Sequence, residues 1–438
     1  MNSYHSLIRH DGNTQLFHAV EMSILSQSND LPFHIHAEGV RGTGKTSIMR
    51  AARSLLPPIL RIKGCIYNCH PDAPHCPEHS QLSAGEVEAV GVEYVPRPFL
   101  EISHSAKIGT VVGSIDIGKL TDKNTPVAAI LPGTIPQAHR GIIFIDEINR
   151  LADTSPELAD VLLDVMGSKP GRIQIEETGL PMIKMPVSVS VWAASNPDED
   201  PGSLAHIRKQ LSDRFDATVA MECPRDYEAV YEILDQAIDT RNQLVQHIEV
   251  PNIFTTGNLN RLEVQPLVKR LLASIYVDFE LESLRAINSL QLAAALSALL
   301  TGKQNISITD LMRVVPLVLA HRVDQSTITN ILKYLEAIDS GAGTNVNQAE
   351  EGDLSLVNKS GYLVSNTPWW KRWLDAIRDC LQATNCHNSA RLSDANNQRG
   401  GSGNSVLSSQ TTVKAPAKRA RSIYQLPDDQ LITVEEKK

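Results

Sequence analysis

The stretch "GVRGTGKT", residues 39–46, restricts this chain more than any other eight residues in it. It satisfies G-x-x-x-x-G-K-[ST] at every fixed position, a pattern whose glycines let the backbone curl until its N–H groups face a row of phosphates. An apolar stretch, "PFHIHAEG", precedes it, and "KTSIMRAARSLL" follows with helical spacing. Strand, phosphate loop and helix in that order predict an α/β fold on a parallel sheet, with the helix N-terminus adding positive potential. Gly39, Val40, Arg41, Gly42, Thr43, Gly44, Lys45 and Thr46 are the candidate contacts to a nucleoside triphosphate. Lys45 would neutralise phosphate charge, and the Thr46 hydroxyl would complete the shell of a Mg²⁺ ion.

Three further stretches supply what hydrolysis needs. "GIIFIDE" reads as a buried parallel strand ending in Asp146 and Glu147. Asp146 is expected to hold Mg²⁺ through water, and Glu147 to polarise the attacking water. "VSVWAASNP" is a second buried strand whose polar end, Asn196, suits a hydrogen bond to the γ-phosphate or the lytic water. "QLSDRFD" places Arg214 where a planar guanidinium could stabilise charge during phosphoryl transfer. Asn and Arg are common surface residues, so each of these two gains meaning from its place in the series.

The βαβ-like pattern runs over residues 1–224, and a helical pattern follows over 225–337, with Ser307 or Thr309 expected to cap its last helix. Residues 338–438 are rich in Ser, Asn and Gly and are expected to be largely disordered. Within them "NTPWWKRWLDAIRDCL" reads as a Trp-rich helix over 367–382, suited either to folding back on its own domain or to anchoring a partner. A net charge of −9 argues against sequence-independent nucleic-acid binding. No apolar run is long enough for a bilayer, and the start is no signal peptide, so a role at a membrane is not expected. Cys223, Cys380 and Cys386 form no disulfide framework, which points to a reducing, cytoplasmic setting.

"VVGSIDIGKL" (111–120) followed by "LPGTIPQAHRGIIFIDEINRL" carries a more specific signal. With the phosphate loop, it resembles the AAA+ ATPases, and among them the magnesium chelatase ATPase (I-type) subunits and their MoxR-like relatives, from about residue 5 to 325. The resemblance implies an AAA+ P-loop parallel sheet with flanking helices and a C-terminal all-α lid. It implies that Lys45 and Thr46 form the Walker A pair, Asp146 and Glu147 the Walker B pair, and Asn196 sensor 1. Arg214, in "SDRF", matches the arginine finger that reaches a neighbouring subunit's ATP, and Arg285, in "ESLRAINSL", the sensor-2 arginine of the lid. It further implies a homo-oligomeric, hexameric ring, with residues 103–140 as an insert in helix 2 pointing into the pore, and "GRIQIEETGLPMIKMPVSVSV" as the hairpin before the sensor strand. The family's I-V-G-Q appears here as "LIRHDGN". No D-x-S-x-S motif occurs, so an integrin-like (VWA) domain is expected on a separate subunit, and a porphyrin on a large third one.

The expected activity is ATP hydrolysis that drives Mg²⁺ insertion into a tetrapyrrole by a partner complex. The alternative is a MoxR-like chaperone that matures or metallates another enzyme with a VWA partner. A scaffold that binds ATP without turning it over is disfavoured by the presence of Glu147, Asn196, Arg214 and Arg285 together. "CIYNCHPDAPHCPEH", residues 65–79, stands apart. Cys65, Cys69, Cys76 and His79 form C-x3-C-x6-C-x2-H, a candidate Zn²⁺ set in which His70 and His75 compete. Structural zinc, redox-sensitive thiols and an incidental surface loop all remain open on the sequence.

Overall fold

The computed structural model describes residues 4–115, 130–167, 169–175, 182–239, 254 and 257–340. The Trp-rich segment 367–382 and the rest of residues 341–438 lie outside the described residues, while the start of the expected tail, 338–339, closes the helix Gln325–Asp339. Eleven strands occur among those described: β1 (Ile35–Glu38), β2 (Ile59–Ile62), β3 (Val92–Val95), β4 (Phe99–Ile102), β5 (Gly113–Ile115), β6 (Ile130–Pro132), β7 (Gly141–Asp146), β8 (Gly171–Ile175), β9 (Ile183–Val187), β10 (Val189–Ser195) and β11 (Ala217–Ala220).

Five of them make the central sheet, in the order β11-β1-β10-β7-β4, every neighbour parallel. β7 and β10 are continuous apolar runs because both of their faces are covered, as an all-parallel sheet demands. Register sets the functional ends side by side. Glu38 of β1 pairs with Ser195 of β10, and Ala194 of β10 pairs with Asp146 of β7. The turns leaving the carboxyl ends of these three strands therefore open at one place, where ligands bind in open α/β sheets. Trp192 is fully buried on β10, and its indole N–H donates to Ser23 Oγ at 2.8 Å, tying the sheet to the helix Thr14–Ser28.

After Lys45–Ala51 the chain tightens into a 3₁₀ turn over Ala52–Leu55 rather than continuing the α-helix. Backbone approach dictates several glycines, two of which meet the stretch that follows β11. A Cβ on Gly39 would lie 2.6 Å from the carbonyl oxygen of Met221, and one on Gly12 2.5 Å from that of Glu222. In the segment 103–140, the described parts are a short helix (Ile108–Val112), the hairpin β5–β6 and a single turn at Thr134–Gln137. β8 and β9 form the antiparallel hairpin that leads into β10.

The helical part comprises Pro266–Asp278, Leu284–Leu300, Ile308–Leu319 and Gln325–Asp339. Ile308–Leu319 is not the last helix, as the sequence suggested, since Gln325–Asp339 follows it with Asp324 as its cap. Of the two candidate caps for Ile308–Leu319, Ser307 is the one used. Its hydroxyl accepts the N–H of Asp310 while Asp310 returns a bond to the Ser307 N–H, a reciprocal capping box. Leu290, Ala293, Ala294, Leu311, Val314 and Val318 from these helices share a core with Leu16, Phe17 and Val219.

Candidate functional site

An open cleft of about 320 Å³ lies at the carboxyl ends of the central strands, lined by Arg41, Gly42, Gly44, Lys45, Thr46, Ser47, Asp146, Glu147, Ser195 and Asn196. Gly42 and Gly44 both take left-handed backbone angles, with φ of 82° and 84°, which side-chain-bearing residues adopt at a cost. Lys45 is buried, with 9% of its surface exposed. Its Nζ donates to the carbonyls of Gly39 and Val40 and to Thr43 Oγ1, and among the described residues no carboxylate lies within ion-pair distance. Burial pushes its ammonium below the ordinary value, against the pull of Asp146 and Glu199. A buried cation with only neutral acceptors is an unbalanced charge, and an anionic phosphate suits it.

The Thr46 hydroxyl donates to both oxygens of Asp146, at 3.2 and 3.3 Å. A hydroxyl and a carboxylate meeting in a polar cleft form a hard-oxygen donor set, the kind Mg²⁺ takes together with phosphate oxygens. Asp146 is also 3.9 Å from Arg50, whose guanidinium grips Glu101 through two hydrogen bonds. Glu147 follows with φ 55° and ψ 49°, a left-handed conformation that costs a non-glycine residue about 1–2 kcal/mol. Its carboxylate lies 3.2 Å from Arg150 and 3.9 Å from His104. Asn196 gives its side-chain N–H to Glu199, and its carbonyl accepts from Asn149.

Arg214 and Arg285 are not among the cleft-lining residues. Arg214 is half-buried, its Nη1 3.5 Å from the Gly167 carbonyl. Burial and the neighbouring Arg285 both lower its pKa. Arg285 sits 3.9 Å from Asp213. The turn bearing Arg214 is gripped from the helical side. Arg322 donates to Asp213 Oδ1 and to the carbonyls of Asp213 and Phe215. Asp216, fully buried, accepts from the His34 N–H, from Lys169 Nζ and from Ser289 Oγ.

Sequence reasoning passed over Ser47, Ser195, Arg50, Arg150, Glu199, Lys169, Asp216 and Arg322. Ser47 and Ser195 flank residues already singled out, and Glu199 follows Asn196 by three, so proximity in sequence was the available signal. Lys169 and Arg322 carried none, because their partners lie 47 and 109 residues away.

In the cysteine stretch, one donor atom each from Cys65, Cys69, Cys76 and His79 lies within 4.8 Å of every other. His70 faces Asp72, and His75 stacks on His139 with ring centroids 3.9 Å apart.

A parallel five-stranded sheet carrying a phosphate loop, an Asp-Glu strand end and a helical lid defines an AAA+ ATPase. Residues 32–213 match the family described as magnesium chelatase, subunit ChlI, and residues 269–332 match the AAA lid domain. The magnesium-chelatase 38 kDa subunit of Acidiphilium rubrum is 31% identical over 309 residues, which is 68% of this chain and 85% of that protein. Subunit ChlI of Pyropia yezoensis is 27% identical over 318 residues, 69% of this chain and 83% of its own. Among solved structures, a chain of the BchI–BchD complex of magnesium chelatase from a cryo-EM reconstruction aligns over 75% of this chain and 98% of its own, at 25% identity and a TM-score of 0.39. The chain belongs to the magnesium chelatase ChlI-subunit family. No helix among the described residues is long and apolar enough to cross a membrane.

Proposed function

We propose that this chain is the ATP-hydrolysing motor subunit of a magnesium-chelatase-type complex, working as a hexameric ring with a separate VWA-domain subunit and a large porphyrin-binding one. The observation that carries the reading is the single cleft uniting Lys45, Thr46, Asp146, Glu147 and Asn196. Lys45 and the loop amides bind and orient the triphosphate. Thr46 and Asp146 would hold a Mg²⁺ ion, which would offset phosphate charge. Glu147, steered by Arg150, takes the proton of the attacking water, and Asn196 orients that water or the γ-phosphate. Arg214, outside the cleft of its own chain, serves the site of a neighbouring subunit, and Arg285 belongs to the lid's contribution. Gripping of the Arg214 turn by Arg322 and Ser289 then makes lid position and finger position one variable. The relatives this chain resembles are magnesium-chelatase subunits, which favours metal insertion into a tetrapyrrole as the work performed.

Glu147→Gln tests the reading. Phosphate release should fall to background while nucleotide binding persists; unchanged hydrolysis would refute the assignment. The same variant, recovered from its native cell with ATP, should bring down a VWA-domain subunit and a large porphyrin-binding subunit. A VWA partner accompanied by an unrelated enzyme would overturn magnesium insertion in favour of a maturation chaperone.

A further inference from the structure

The hydrolytic cleft leaves residues 65–79 without a role, yet this is the most chemically concentrated loop of the protein. Cys65, Cys69 and Cys76 are 1%, 0% and 0% exposed, so the loop is folded inward and is no incidental surface feature. Asn68, between the first two cysteines, takes a left-handed φ of 54°, and its N–H returns to the Cys65 carbonyl at 3.2 Å. That turn brings the two sulfurs back toward each other. A second turn, closed by the His79 N–H on the Cys76 carbonyl, sets His79 Nδ1 3.0 Å from Cys76 Sγ.

Main-chain donors surround the sulfurs. Cys69 Sγ accepts N–H groups from His75 and Cys76 at 3.3 and 3.4 Å. Amides aimed at a buried sulfur suit the negative charge that a metal-bound sulfur carries. A disulfide would use two of the sulfurs and leave the third, with the imidazole, unaccounted for. Four convergent donors, three of them thiolate and one imidazole, instead match the Cys₃His set of a closed tetrahedral centre.

We propose that Cys65, Cys69, Cys76 and His79 bind one structural Zn²⁺ ion that braces the wall behind β7. His79 supplies the fourth ligand through Nδ1. His70 turns to Asp72; His75 stacks on His139 and sets its Nδ1 3.2 Å from Cys69 Sγ, yet it is His79 that shares the 4.8 Å cluster with all three cysteines. The brace has a definite object. Asn68 Nδ2 donates to the Gln137 carbonyl at 2.7 Å, and Arg61 donates to Asn68 Oδ1 at 2.9 Å. The three cysteines and Tyr67 share a core with Ile135, Ala138, Ile143, Ile145 and Ile148. Those residues lead into and out of the strand that ends at Asp146, so the ion would fix the base of segment 103–140 against that strand. It takes no part in hydrolysis.

The test begins with the full chain purified without chelator or metal-affinity tag. Elemental analysis should find one zinc per chain. Replacing it with Co²⁺ should produce thiolate-to-metal charge-transfer bands and the intense visible bands of a tetrahedral site. Cys76→Ser should lose the metal, while His79→Cys and His70→Ala should keep it. Should Cys76→Ser not fold, the Co²⁺ spectrum of the unaltered chain and the His79→Cys variant still decide. Zinc-free protein in which all six thiols titrate freely overturns the proposal, as does a disulfide among Cys65, Cys69 and Cys76 in protein isolated under reducing conditions.

Discussion

Asp216 offers the sharpest test of how the helical part holds the Arg214 turn. Burial alone would raise its carboxyl pKa, but Lys169, His34 and the Ser289 hydroxyl outweigh that effect and hold it at about 2, against an ordinary 3.8. Such a displacement corresponds to roughly 2–3 kcal/mol of folding stability from the charged form. Because the folded value is the lower one, this contribution is complete above about pH 4 and disappears as pH falls through about 2. Asp216→Ala goes further, leaving Lys169, the His34 N–H and Ser289 without their acceptor, and should cost about 3–5 kcal/mol at pH 7. Against a total of about 5–15 kcal/mol this is a large fraction, readable in urea unfolding followed by circular dichroism. A double-mutant cycle of Asp216→Asn with Lys169→Gln should show coupling above about 0.5 kcal/mol. A loss below about 1 kcal/mol in Asp216→Ala, together with an additive cycle, would refute the account.

Other outcomes follow from the same geometry. Arg214→Ala and Glu147→Gln should each be inactive alone, yet their mixture should regain part of the ATPase rate, since each supplies what the other's site lacks; no recovery would exclude action between subunits. Lys45→Ala should weaken nucleotide binding at least about tenfold, near 1.4 kcal/mol, with unchanged circular dichroism, as read by titration with a fluorescent ATP analogue. Trp192→Ala should lose about 3–5 kcal/mol through the cavity it opens and the Ser23 hydroxyl it strands, measured by chemical unfolding. Gly39→Ala should destabilise by about 1–3 kcal/mol because its methyl meets the Met221 carbonyl, with nucleotide affinity falling alongside.

Residues that work through local geometry were legible from the chain alone. The phosphate loop needs glycines at set intervals, and β7 and β10 need uninterrupted apolar runs, so both announced themselves in "GVRGTGKT", "GIIFIDE" and "VSVWAAS". Lys45, Thr46, Asp146, Glu147 and Asn196 accordingly meet in one cleft. Contacts between distant segments carried no such mark. Nothing in "AHRVD" distinguishes Arg322 from a surface arginine, and only folding brings it to Asp213. The cysteine stretch lies between these cases. Its composition exposed the candidate donors, but three histidines competed for one place, and turn geometry rather than spacing brings His79 to the sulfurs.

Gly12 and Gly39 meet Glu222 and Met221 with no side chain between them. Most positions in a protein can be retuned, a methylene added here or a charge moved there, and selection works through such adjustments. This corner contains nothing to adjust. Three stretches far apart in sequence are pinned together by main chain alone, so the entrance to the nucleotide loop inherits a fixed reference point that drift cannot shift gradually. Anyone diversifying this enzyme should leave those two glycines untouched.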